Sequence, residues 1–329
     1  MMPRNRRIIR SAAAFAVLLL AAGRADAAVD DAPVSVPVGQ PLTCVAHADR
    51  IERQRQDNID RQIRGRPHIP FDVEKLQAAR DVCHGEAASD PEDMTVVVAF
   101  GKVLLARGEF SRAASYLGRA VDAGDEATAF FLALAYENGG IGGKDLRDAL
   151  PFFQMAADAG SIDAQTRLGR IYAQGRQDFG IAPDLDRART YLGRAADRGN
   201  LIAKFYLADL HAHPGAVQDL DKAARLMEEA ADGGMVRAKI VLSNVYLQGL
   251  GVERDLEKGV RLLQEAAAAG HPQARQRLPA LYIRLGDHFM FGWDDLPQDE
   301  SRARRWYCAA GEQGARAYRD LRQTDLVCD

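Results

Sequence analysis

His211 and His213 form the pair in this chain whose spacing best suits chemistry, because an H-x-H segment can offer two imidazoles to one metal ion. Cys44, Cys83, Cys308 and Cys328 are a second possibility, as a redox or metal set. None belongs to a C-x-x-C pair. Only Cys83 stands next to a histidine, His84, and direct adjacency is a poor ligand geometry. No serine has a lysine three residues on, and G-x-S-x-G, H-E-x-x-H and a phosphate-cradling glycine loop are all missing. One acid pattern does recur: Asp145, Asp184, Asp219, Asp255 and Asp299 each stand four residues before a small residue, and Glu109 follows the same rule. Capping is needed at every helix start and catalysis only once, so a repeated acid reads as a cap that accepts from exposed N–H groups. These residues predict no catalytic set, no cofactor site and no metal site.

The elements that carry these residues repeat. The phrase A-A-x-x-G ends at Gly160, Gly199, Gly234 and Gly270, with looser copies at Gly124 and Gly314. Successive copies are 36, 39, 35, 36 and 44 residues apart. A second phrase opens each unit: a Leu, a small residue, and then Tyr or His, as at 131–139, 167–175, 206–214 and 241–249. Leu and Tyr four apart share a helical face, and the small residue between them admits a close crossing. His211 falls at the position of Tyr172 and Tyr246, which makes it a packed core residue and not a ligand. Each unit is therefore two antiparallel helices of roughly 12–14 residues that bury their apolar faces only by stacking on neighbours. The fold class is all-α, a right-handed α-solenoid of antiparallel helix pairs.

Composition agrees. Of 329 residues 56 are alanine, the strongest helix former, and only 7% are aromatic. The formal charge is −3, with 36 arginines and 7 lysines. Residues 1–10 are arginine-rich, an apolar run of about eleven residues follows, and Ala25 and Ala27 fit a small-x-small cleavage site, so residues 1–27 read as a signal peptide cut after Ala27. The run is too short to span a bilayer, which takes roughly 20 apolar residues. Cleavage leaves 38 basic and 45 acidic residues, a charge of −7 that gives no drive toward nucleic acid.

The string A-x-x-x-L-G-x-x-Y-x-x-G-x-G-V-x-x-D-x-x-K-A-x-x-x-x-x-x-A-A-x-x-G resembles that of Sel1-like repeats, relatives of the tetratricopeptide family. Residues 238–270 fit best, with Leu242, Tyr246, Gly249, Gly251, Val252, Asp255, Lys258, Ala266, Ala267 and Gly270 in place, while Ser243 and Gly259 replace the usual Gly and Ala. The shared residues are structural, so the resemblance carries over no catalytic residue. The expected organisation is a signal peptide (1–27), an N-terminal leader and half-repeat (28–90), a tetratricopeptide-like helix pair (91–124), a Sel1-like array (125–314) and a C-terminal capping helix and tail (315–329).

Several departures stand out. Pro151 falls inside a second helix, residues 177–183 lengthen one inter-helix loop, and the last first-helix offers two registers seven residues apart, with Pro279 as the expected break. Residues 29–42 read as an extended leader, and 49–66, with six arginines and four acids, as a solvated helix, a loop or a charged strap. In an oxidising compartment the cysteines should pair. Cys44–Cys83 and Cys308–Cys328 are the expected bridges, one at each end of the array, each stabilising by about 3 kcal/mol.

Among related solenoids first helices line the concave face, and here they carry Arg167, Arg170, Lys204, Arg237, Lys239, Arg275, Arg277 and Arg284 against five acids. The expected partner-binding set is Arg167, Arg170, Lys204, Arg237, Lys239 and Arg275. Resemblance to exported Sel1-like proteins implies a non-enzymatic, periplasmic or secreted scaffold that binds another protein, periplasmic or membrane-bound, with no nucleic acid and no membrane anchor of its own after cleavage. The alternative is a cell-wall enzyme or ligand binder for β-lactam or muropeptide, of the cysteine-rich type. Those proteins resemble one disulfide per repeat, whereas this chain has cysteines only at its ends. The intact mass of the exported protein is expected to place its first residue at Ala28, and a mass that retains residues 1–27 would contradict cleavage.

Overall fold

The computed structural model describes residues 42–139, 146–213, 218–293 and 296–328. The expected signal peptide, most of the extended leader and the Asp145 cap lie outside them. Among the described residues the chain forms fifteen α-helices and no β-strand, an α-solenoid. The helices are α1 (Cys44–Ile63), α2 (Val73–Ser89), α3 (Met94–Ala106), α4 (Phe110–Asp122), α5 (Ala129–Gly139), α6 (Leu146–Asp158), α7 (Ile162–Gln174), α8 (Leu185–Asp197), α9 (Leu201–Ala212), α10 (Leu220–Asp232), α11 (Val236–Gln248), α12 (Leu256–Ala268), α13 (Pro272–Phe291), α14 (Glu300–Ala309) and α15 (Glu312–Arg322). The described residues up to His211 form one compact unit and those from Ala212 a second.

Start and stop signals set the second helices. Asp184, Asp219, Asp255 and Asp299 each accept at 2.8–3.0 Å from the backbone N–H three residues on, in α8, α10, α12 and α14. Glu109 makes no such cap; it pairs with Arg107 and Arg112 at 2.7 and 2.6 Å. At the other end the A-A-x-x-G phrase closes the helix. Gly160, Gly199, Gly234 and Gly270 have φ between 84° and 93°, left-handed backbone that favours glycine. The next N–H then reaches back to the phrase's first alanine, as from Ser161 to Ala156 at 2.9 Å and from His271 to Ala266 at 3.1 Å. That alanine is fully buried in every copy from Ala156 to Ala266. The phrase thus combines a helix stop with a thin packing surface.

Close crossing is the second determinant. A methyl group on Gly169 of α7 would lie 2.4 Å from Leu192 Cγ of α8, and one on Gly101 of α3 would lie 2.6 Å from Leu117 of α4. Both leucines are fully buried, each such burial contributing about 1.5–3 kcal/mol.

Both bridges are formed, Cys44–Cys83 joining α1 to α2 and Cys308–Cys328 tying the chain's end to α14. The charged segment is mostly helix: α1 runs to Ile63 and packs on α3 through Cys44, Ala48 and Ile51. Its charges are used locally, with Arg55 paired to Glu52 at 2.6 Å and to Asp163 of α7 at 2.7 Å, and lying over the Phe130 ring of α5 at 5.5 Å. Asn58 both donates to and accepts from the backbone of Ile69 (2.9 and 2.8 Å), folding the α1–α2 connection onto the helix. The long loop after α7 is pinned by a bridge between Arg176 and Ile181.

Two prolines lie within helices. Pro151 sits inside α6, which starts at Leu146, five residues before it. Pro279 is no break: α13 is continuous over 20 residues. Its missing N–H removes one rung, but Ala274 on one side and Leu281, Tyr282 and Leu285 on the other are all buried, so packing holds both halves in one register.

Gly169→Val is expected to destabilise the chain by about 2 kcal/mol through overpacking. Gly193→Ala on α8, where nothing stands within 4 Å of the added methyl group, should stabilise it by up to about 1 kcal/mol through helix propensity. Thermal melts of the two variants check the crossing, and shifts of the same sign would contradict it.

Candidate interaction surface on the first helices

Each first helix turns a Leu–small–x–x–Tyr face inward, so its remaining positions carry the charges. In the N-terminal unit Arg167 of α7 forms an ion pair with the nearly buried Glu137 of α5. Arg170 lies over the Tyr206 ring of α9, 4.9 Å from its centroid. Lys204 is half-buried on α9. In the C-terminal unit Lys239 of α11 pairs with Glu265 of α12 at 2.5 Å. Arg275 donates from Nε to the Ala267 carbonyl at 3.1 Å, finishing the end of α12. Arg237 is half-buried on α11; burial, and then its positive charge, hold His271 below the ordinary histidine range. Four of the six expected binding residues therefore already stabilise their own unit.

Two other arginines stand out on α13. Arg277 is half-buried and donates to the Asn244 side-chain oxygen at 2.9 Å; Asn244 is itself buried and donates to the Ile240 carbonyl at 2.9 Å. Neither Arg277 nor Arg284, two turns on and exposed, has a carboxylate partner among the described residues. Burial, and then Arg284, push the Arg277 pKa down. The next acid along, Asp287, is drawn away to accept from the Tyr307 hydroxyl at 2.5 Å. No motif distinguishes these arginines in the sequence, because burial and acid-free surroundings are tertiary properties.

The repeated tyrosine links one helix pair to the next. Tyr172 accepts from Gln154 of the preceding second helix at 3.0 Å, and Tyr282 from Gln264 at 2.8 Å. Tyr246 instead donates to Glu228, and Lys258 donates to both, reaching Glu228 at 3.0 Å. The partner stands 18 residues before the tyrosine in all three. Burial opposes ionisation of Glu228, but the bonds from Tyr246 and Lys258 outweigh it and hold the carboxyl below its ordinary range. Burial and the bond to Glu228 raise the Tyr246 pKa.

His211 is buried on α9 at the tyrosine position. Among the described residues no three His, Cys, Asp or Glu gather as metal ligands, and no helix is long and apolar enough to cross a membrane.

The Sel1 repeat pattern matches residues 127–161, 162–200, 201–235, 237–271 and 279–314, more than half of the chain. The chain belongs to the Sel1 repeat family. Sel1 repeat proteins generally mediate protein–protein interaction, and the family is generally non-catalytic. Two solved structures share the fold of this Sel1 repeat protein. A Sel1 repeat protein from Oxalobacter formigenes is 21% identical, with a TM-score of 0.50, over 80% of this chain and 98% of the other. A protective antigen of uropathogenic Escherichia coli strains, displaying an SLR fold, is 18% identical, with a TM-score of 0.55. That match covers 83% of this chain but only 66% of the antigen. No curated protein matches in sequence.

The Glu228 group sets a pH dependence. Its folded pKa lies below its unfolded one, so its contribution is complete above the ordinary carboxylate range and is lost as the pH falls through the folded value. Glu228→Gln is expected to reduce stability near neutrality and to shrink the loss between about pH 7 and pH 3. Urea titrations followed by the fluorescence of Trp293 and Trp306, both in the C-terminal unit, measure this; parallel curves for the two proteins would exclude it.

Proposed function

We propose that this Sel1 repeat protein is an exported, non-enzymatic scaffold that binds a periplasmic or membrane-bound protein through the outward face of its first helices. The observation that carries the reading is the pair Arg277 and Arg284. A half-buried guanidinium, held by a buried Asn, costs desolvation that no acid among the described residues offsets. An acidic side chain from a partner supplies the missing charge and steers the approach of that partner. Of the other first-helix cations, Arg237, Lys239 and Arg275, in the same unit, then act as a flanking field and as props for the helices.

Export rests on the basic, apolar and small-residue order of residues 1–27 and on two disulfides that suit an oxidising compartment. The proposed division remains a cleaved leader over 1–27, an N-terminal segment over 28–90, a first helix pair over 91–124, the array over 125–314 and a capping end over 315–329.

A photo-crosslinking residue at Ala280, exposed between the two arginines, is expected to capture one stoichiometric periplasmic protein. Arg277→Glu with Arg284→Glu should abolish the adduct while leaving the far-ultraviolet circular dichroism and thermal melt intact. An adduct that survives the reversal, or no adduct together with turnover of a β-lactam or muropeptide, would overturn the proposal.

A further inference from the structure

The fifth repeat is longer than the others, and the extra length opens a cleft. The family pattern leaves 272–278 unmatched between its fourth and fifth copies, and α13 has 20 residues where α11 and α12 have 13 each. The consensus tyrosine normally does two things. Its carbonyl accepts from the aspartate cap of its own second helix, as Tyr172 does from Asp184 at 2.8 Å and Tyr246 from Asp255 at 3.0 Å. Its hydroxyl meets the preceding second helix. In the fifth repeat these roles fall on different residues. Tyr282 holds the hydroxyl contact, to Gln264, while Phe289 takes the Asp299 N–H at 2.8 Å. The two lie seven residues apart, about 10 Å along the helix. The start of α14 is carried that much farther from α12 than a standard repeat would place it.

Between α12 and α14 lies a cleft of about 1000 Å³, wholly within the C-terminal unit. Val252, Leu256, Phe289, Leu296 and Trp306 give it an apolar floor. Trp306 is braced by stacking on Tyr282, ring centroids 5.9 Å apart. The two lips differ in charge. On α14, Arg302 lies over the Phe289 ring at 5.3 Å and reaches Asp299 only at 3.9 Å, and exposed Arg305 has no carboxylate partner among the described residues. On the α12 side stand exposed Glu253, Asp255 and Glu257; the two cations of that lip, Arg254 and Lys258, are half-buried and turned away, to the Leu247 carbonyl and to Glu228 and Tyr246.

We infer that this cleft is a second docking site, separate from the first-helix face, for a short amphipathic helix of a partner protein. Its apolar stripe would sit on the Leu256–Phe289–Trp306 floor, with a carboxylate turned to Arg302 and Arg305 and a basic residue turned to Glu253 and Glu257. Charge complementarity argues for this occupant: opposite lips over an apolar floor match a helix whose flanks carry opposite charge. A purely apolar ligand would leave Arg305 without a counter-charge. A second copy of the chain would have to present the same charge order, which the test reads separately.

A phage-displayed library of random peptides of roughly 18 residues, long enough for five helical turns, is to be panned on the full chain. Affinities are then measured with synthetic peptides by Trp306 fluorescence in a Trp293→Phe background. The selected sequences should carry apolar residues at i, i+3 or i+4 and i+7, with Asp or Glu on one flank and Lys or Arg on the other. Arg305→Glu should weaken binding at least about tenfold, and Arg305→Lys should restore most of it. Ala309→Arg, at an exposed lining position, should abolish binding with the thermal melt unchanged. Arg277→Glu with Arg284→Glu should leave peptide affinity unaltered, which separates this site from the first-helix face. Failure to select peptides, selection without charged flanks, or affinity indifferent to Arg305→Glu and Ala309→Arg would each overturn the inference. So would dimerisation of the chain, seen by sedimentation, that Ala309→Arg abolishes.

Discussion

How closely two short helices can approach is the constraint on which the rest of this structure depends. A 13-residue helix is marginal alone, and a pair becomes stable only by burying most of the surface between its members. Gly101 and Gly169 bring that approach to a distance at which an added methyl group would overlap the facing leucine. The alanines at the second-helix ends do the same for the other flank, and their burial explains why a chain so rich in alanine packs a core with few aromatic residues. Thin layers have a cost. Each pair gains less from apolar burial than a leucine-rich bundle would, so links between pairs matter more. The tyrosine hydroxyls supply one such link, reaching back to Gln154, Glu228 or Gln264.

The same economy governs the surface charges. Arg167, Lys239 and Arg275 bind Glu137, Glu265 and the Ala267 carbonyl. A part-exposed ion pair such as Lys239–Glu265 contributes at most about 1 kcal/mol, yet such contacts fix where long side chains point and so shape the face a partner meets. Positive residues on the first helices therefore serve the fold as well as any partner they meet. Arg277, positioned by Asn244, and Arg284 beside it differ in having no carboxylate partner among the described residues.

Most of the fold was legible because its determinants are local. Aspartate caps, glycine stops and the Leu–small–x–x–Tyr spacing act within one or two turns, so period and composition exposed them. The end bridges were legible because four cysteines at two ends of a linear array leave one local pairing. Other features depend on distant partners and were not legible. The segment 49–66, read as a solvated helix or a loop in preference to a charged strap, is mostly helix, since Asn58 meets Ile69 and Arg55 meets Asp163 and Phe130. Pro279 read as a break because a rule about one residue ignores the buried side chains that hold both halves of α13 in line. The surroundings of the binding candidates were hidden in the same way: charge was visible, and the carboxylates of Glu137 and Glu265 beside Arg167 and Lys239 were not.

The fifth repeat shows why a first helix tolerates added length in one form only. Seven residues make almost two turns, so an insertion of that size returns the helix to nearly the same face and leaves the buried stripe unbroken. An insertion of five or six would have turned Leu285 and Phe289 outward and exposed the core under α14. With seven, both registers stay buried: Ala274 and Tyr282 face α12, while Leu285, Gly286 and Phe289 follow on to meet α14. Gly286 restores the close crossing there, since a methyl group on it would lie 2.9 Å from the Tyr307 ring. The repeat rules are thus satisfied twice on one helix, and the one thing they do not provide is a second helix to cover the added turns. A cleft follows from the geometry of insertion, and its charged lips from the residues that cap and flank α12 and α14.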